Sequence, residues 1–118
     1  MSEVAAIILR IDAERTSEFE AMFEAEEIPI WDEYTAKGLF LEASLTRVEG
    51  GSENPTGTYG GGPAGIQDYI LHIVAADHDA HNHHDDDPRF ASFLEKAKLL
   101  QPKAPLVFFG APLFERKA

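Results

Sequence analysis

Val4 to Ile11 is a short, β-branched apolar run broken only by Arg10 and closed by Asp12, which predicts a buried first strand. The pattern then changes period. Ser17-Glu18-Phe19-Glu20 has the form of a capping box, in which Ser17 accepts from the third helical amide and Glu20 reaches back. Phe19, Met22 and Phe23 follow at helical spacing, with Glu18, Glu20 and Glu24 outside. That stripe meets Glu26 and Glu27, so its apolar face is short. Pro29 removes an amide donor, so the helix is expected to end or kink near Ile28. Ile30, Trp31 and Tyr34 resume the stripe, and Lys37-Gly38 stops it.

Two further strands show alternation. Leu39, Leu41, Ala43 and Leu45 share one face of the first, with Phe40, Glu42, Ser44 and Thr46 on the other. Gln67 to Ala76 sets Tyr69, Leu71 and Ile73 against Ile70, His72 and Val74. Between them, residues 49–65 are rich in Gly, Pro and Ser and predict a long flexible loop carrying Tyr59. Asp77 to Asp87 is acidic and His-rich, and is expected to form a solvated loop. Asp87-Pro88 then opens a second helix, with Asp as N-cap and Pro preset at the first helical position. Phe90, Phe93, Leu94, Ala97 and Leu100 supply its stripe, and Pro102 ends it. Leu106 to Phe109 is the last strong strand, with Gly110 to Leu113 as its continuation past a bend.

The resulting order, βαββαβ, is the ferredoxin-like α+β arrangement: an antiparallel four-stranded sheet, spatial order 4-1-3-2, with helices on one face. The Leu39/Leu41/Leu45 and Tyr69/Leu71/Ile73 sets suit the helix side. The opposite face would carry Ile8, Arg10, Phe40, Glu42, Ser44, Ile70, His72 and Val74. That is too apolar for open water and too polar for a plain core, so a second copy in a C2 pair is the expected cover. In element order, face pattern and the Asp87-Pro88-Arg89-Phe90 helix opening, the chain resembles the dimeric α/β-barrel superfamily. The resemblance spans nearly the whole chain. It implies a homodimer of ferredoxin-like subunits around a cavity. It leaves function open, since small monooxygenases, lactone isomerases and haem-degrading enzymes share the fold.

At 118 residues the chain fits one domain, 1–118, with room for a substantial core. A net charge of −11 argues against nucleic acid and anionic membranes as partners. The chain has no cysteine, which excludes disulfides and thiol chemistry and suits a reducing compartment. Val4 to Leu9 is too short for a signal or spanning segment, so the expected location is the cytoplasm.

Three groups of residues carry candidate chemistry. Glu42 and His72, facing one way from neighbouring strands, form a candidate acid–base pair, with Ser44 and Arg10 beside them. Trp31 and Tyr34 are candidates to wall an aromatic ligand, with Tyr59 reaching in from the loop. Each has a plainer reading: Glu42 and Arg10 as an ion pair across subunits, His72 as a satisfied buried histidine, Trp31 and Tyr34 as core. His78, His81, His83 and His84 are candidate ligands for a divalent transition metal, although no defined ligand spacing is met. Gly60-Gly61-Gly62-Pro63 lacks the Gly-Lys-Ser/Thr of a phosphate loop. The leading expectation is a small-molecule-binding dimeric barrel acting without a cofactor, as a monooxygenase or isomerase on an aromatic or polyketide-like compound. The alternatives are a metal-binding protein or metalloenzyme using 78–84, and a non-catalytic dimeric binding module.

Overall fold

The computed structural model describes residues 1–52 and 65–118; Tyr59 and the glycine run after it lie outside the described residues. The elements run β1 (Glu3–Asp12), α1 (Thr16–Glu26), α2 (Ile28–Ala36), β2 (Phe40–Arg47), β3 (Ile66–Ala75), α3 (His78–Asp85), α4 (Pro88–Ala97), a 3₁₀ turn (Lys98–Leu100) and β4 (Leu106–Gly110). The four strands form one antiparallel sheet in the order β2-β3-β1-β4. This is the ferredoxin-like arrangement, with the helices on one face.

Alternation along β1 explains which face the helices cover. Ala5, Leu9 and Ile11 are buried under them, with Ile7 packed against the same core. Glu3 shares their parity and so starts the strand as a carboxylate on the core side. Leu71, Ile73 and Tyr69 on β3 meet Phe19, Phe23 and Phe93 from α1 and α4. Phe23 stands edge-on to both Trp31 and Phe93, at 5.2 and 5.6 Å between ring centroids. Rings that pack edge-to-face add to their area burial.

Several expectations are corrected. The register steps from Phe40↔Ala75 to Glu42↔Val74, so two residues of β2 face one of β3 across a bulge at Leu41. The bulge turns Phe40 into the core, 2% exposed, and Leu41 out to 52%, the reverse of simple alternation. Helix α1 begins at Thr16 behind Arg15 with no side-chain cap, so the Ser17 capping box does not form. Glu20 instead accepts from the Tyr69 hydroxyl at 2.5 Å and pairs with Arg47. Asp77–Asp87 is not a loop: Asp77 caps α3 by accepting from the Ala80 amide at 2.8 Å. Strand β4 ends at Gly110, and Ala111 to Leu113 add no strand. The kink before Pro29, the stop at Gly38 (φ +72°) and the Asp87 cap of α4 are as expected.

Candidate functional site

On the sheet face without helices, β-register sets Ser44 beside His72, and the Glu42 carboxylate stands 3.6 Å from His72 Nδ1. Glu42 and His72 line a hollow of 480 Å³ together with Leu41, Val74, Phe114 and Arg116; Ser44 does not reach it. The Glu42 and His72 side chains are 65% and 37% exposed, so water competes for both. Arg10 is not brought to them. Its strand-register partner is Asp68, four residues along β3 from His72 and therefore roughly 13 Å away, and its Nε donates to the Ala104 carbonyl. Trp31 and Tyr34 are buried on the opposite side of the sheet and cannot wall that hollow. Tyr34 donates to the His83 carbonyl and to Asp87 Oδ2 at 3.0 Å. Burial and the Asp87 carboxylate push its hydroxyl up to about 12.

The helix side holds a different constellation. Helical spacing lays His78, His81 and His84 along α3, and its first turn falls over the start of β1. The result is one chain of alternating carboxylates and imidazoles. Glu27 Oε2 lies 3.1 Å from His84 Nε2, and His84 Nδ1 lies 3.5 Å from Asp85 Oδ1. Asp85 Oδ2 meets His81 Nε2 at 3.0 Å. His81 Nδ1 contacts Glu3 Oε1, and Glu3 Oε2 meets His78 Nδ1 at 2.6 Å. The chain begins at Glu27, 1% exposed, and surfaces at His78, 57% exposed. His83 takes no part; it is exposed, its ring 5.5 Å from that of Tyr34.

Electrostatics follow from these contacts. Burial alone would push His84 down, but hydrogen bonds and charges from Asp85 and Glu27 reverse this and raise it to about 9. Burial pushes Asp85 up, while the hydrogen bond from His84 and the charges of His81 and His84 hold it below its ordinary value. Burial likewise opposes ionisation of Glu3, and His81 and His78 outweigh it. A buried imidazolium held between two carboxylates results.

Next to this chain is a cavity of 380 Å³ between helices and sheet. Phe19, Phe23, Phe90, Phe93, Leu9 and Leu71 supply apolar walls, and Glu27, His81 and Asp85 supply polar ones. A smaller recess shares Leu71, His81, Asp85 and Phe90 with it and reaches Glu3 and His84. Apolar lining, a few convergent polar groups and a volume in the range of about 300–1,000 Å³ describe small-molecule sites generally. Sequence reading missed Glu3, Glu27 and Asp85 in this role. The signals were there: Glu3 has the inward parity of β1, and Glu27 interrupts an apolar stripe.

No protein-family model matches the chain, and no curated protein does. Solved structures do match. A Caulobacter crescentus protein, provisionally assigned as an antibiotic biosynthesis monooxygenase, is 18% identical over 96% of this chain and 91% of its own, with a TM-score of 0.70. Rv0793 from Mycobacterium tuberculosis is 14% identical over 99% of this chain and all of its own, at 0.71. SnoaB, a cofactor-independent oxygenase from Streptomyces nogalater, is 18% identical over 96% and 95%, at 0.59. At these identities the likeness is one of fold alone, the ferredoxin-like arrangement of a four-stranded antiparallel sheet with helices on one face.

Proposed function

We propose that the chain binds a small aromatic or polyketide-like molecule in the cavity between helices and sheet and oxidises it with dioxygen, without an organic cofactor. The observation that carries this reading is an aromatic-lined cavity whose wall holds Glu27 and Asp85, the two carboxylates that flank the buried His84 imidazole. Its fold neighbour SnoaB, named a cofactor-independent oxygenase, supports the same direction.

A flat, electron-rich ring system fits the phenylalanine walls. Glu27 is the candidate base for an acidic methylene or phenol, and the positive charge of the His84 imidazolium, 3.1 Å behind that carboxylate, favours the anion that forms from outside the cavity. For a methylene flanked by rings, the carbanion gives its electrons to dioxygen and a carbon–oxygen bond closes as a peroxide. Loss of water then leaves a ketone. One CH₂ and one O₂ become one C=O and one H₂O, so dioxygen is the sole oxidant. Returning the proton to another carbon, with no oxygen consumed, would be the isomerase form of the same chemistry.

The test is oxygen uptake with a panel of tricyclic phenolic ketones, with ¹⁸O₂ label sought in the product. Uptake with one labelled oxygen per product, abolished in Glu27→Gln while ligand binding persists, is the expected result. An isomeric product without uptake selects the isomerase, binding without turnover selects a non-catalytic module, and no binding ends the proposal.

The reading includes a homodimer. Ile70, Leu106, Phe108 and Leu41 are exposed apolar groups on strands of the sheet, and a second copy pressed on the helix-free face would cover that surface and enclose Glu42 and His72. A monomer in light scattering at micromolar concentration would refute it. Glu42 and His72 as catalytic residues remain a second proposal, favoured by their proximity: His72→Ala should then abolish turnover with the fold intact. An acidic, cysteine-free chain of this kind suits the cytoplasm. Among the described residues no helix is long and apolar enough to cross a membrane.

A further inference from the structure

The outer end of the imidazole–carboxylate chain has a geometry of its own. One donor atom each from Glu3, His78 and His81 lies within 4.8 Å of the others. Both histidines turn Nδ1 toward the same carboxylate, one to each oxygen. Donors bound about 2.0–2.2 Å from a tetrahedral zinc-sized ion stand about 3.4 Å apart, inside that limit.

The far side of His81 adds a second contact: its Nε2 lies 3.0 Å from Asp85 Oδ2, so the ring is held between two carboxylates, with Nδ1 on the Glu3 side. A histidine whose far nitrogen donates to a carboxylate is the usual arrangement behind a metal-bound imidazole.

Rigid elements hold the set. Glu3 is fixed in β1, and His78 and His81 occupy the first turn of α3 behind its Asp77 cap. The Phe109 ring stacks on His78 at 6.1 Å and stands edge-on to His81 at 5.5 Å, limiting rotation of both imidazoles. The exposed side of His78 leaves room for an ion and its waters to arrive.

We propose that Glu3, His78 and His81 form a binding site for a divalent transition-metal ion, with Asp85 orienting His81 from behind. Two imidazoles and a carboxylate select zinc, cobalt, nickel or copper over magnesium and calcium, which prefer oxygen donors. His83 and His84 are not ligands; His84 Nε2 is already engaged by Glu27.

Calorimetric titration of untagged, chelator-treated protein with zinc chloride tests it. One ion per chain is expected. Removing a ligand, in His78→Ala or Glu3→Gln, should weaken binding by at least about 100-fold, and Asp85→Asn by ~10–100-fold. His83→Ala should bind as the parent does. Cobalt titration should give a d–d absorption band that His78→Ala abolishes. His78 is exposed, so this variant should fold, and circular dichroism checks that it does. No binding, equal binding by His78→Ala and the parent, or displacement by equimolar magnesium would each overturn the proposal.

Discussion

Raising the pH from 6.5 to 9 removes the proton from the buried His84 imidazolium, and stability should fall across that interval. His84 rises from an ordinary 6.5 to about 9 in the fold. The folded state therefore holds the proton more tightly than the unfolded chain. Its contribution is complete below pH 6.5 and is lost as pH climbs through 9. At about 1.4 kcal/mol per pH unit, the contribution is about 3 kcal/mol. For a chain of 118 residues the unfolding entropy is about 0.25 kcal/mol/K, so the midpoint should drop by about 12 °C. The groups facing His84 are Glu27, at the α1–α2 junction, and Asp85 on its own helix. The rings of Tyr34, Phe40 and Phe90 stand 4.4 to 5.6 Å from it. Asp87 is one hydrogen bond further, through Tyr34. Glu27→Gln removes one of the two carboxylates, so the drop should shrink to roughly half. The variant's deficit should be largest near pH 6, where the imidazolium stays charged and has lost its buried partner, a change that costs up to about 3–5 kcal/mol. Thermal unfolding of both proteins by circular dichroism from pH 6 to 9.5 reads this directly. Parallel curves for the two, or a parent whose midpoint is flat or rises above pH 6.5, would refute the assignment.

Asp87→Ala removes the α4 cap and the Tyr34 and Arg89 partners together. It should cost about 2 kcal/mol, seen as a midpoint about 8 °C lower. Phe93→Ala opens a cavity among Phe23 and its neighbours and should cost about 3–5 kcal/mol in urea unfolding, with an unchanged m-value. Phe108→Asp alters a side chain 60% exposed in the isolated chain. It should leave intrinsic stability within about 0.5 kcal/mol while converting a dimer to a monomer in light scattering.

The fold was legible because its signals are local and consistent. Two helical stripes, three apolar strands, a proline kink and the Asp87 cap all agree with the same topology. The errors have physical causes. The Leu41 bulge reverses which side chains of early β2 are buried, and nothing in an alternating sequence marks where a register will slip by one. The His-rich segment reads as loop because Asp and His are poor helix formers, yet Asp77 caps it and its histidines find partners across the fold. Tertiary contacts, absent from any local window, decide the matter.

That same helix explains why the constellation on the helix side was not anticipated. His72 and Glu42 were conspicuous because strand parity alone places them together. The chain from Glu27 to His78 needs three separate pieces of sequence to meet: the start of β1, the α1–α2 junction, and helix α3. Glu3 and Glu27 were each readable only as breaks in an apolar pattern. A carboxylate at an inward position carries a desolvation penalty, and a fold keeps it only where a partner supplies compensating charge or hydrogen bonds. Five histidines against two inward carboxylates therefore define the pairing problem, and α3 is the element whose spacing solves it for both. Inward acids that interrupt a stripe, matched to a histidine run elsewhere, are thus a sharper guide to this site than residues sharing an open sheet face.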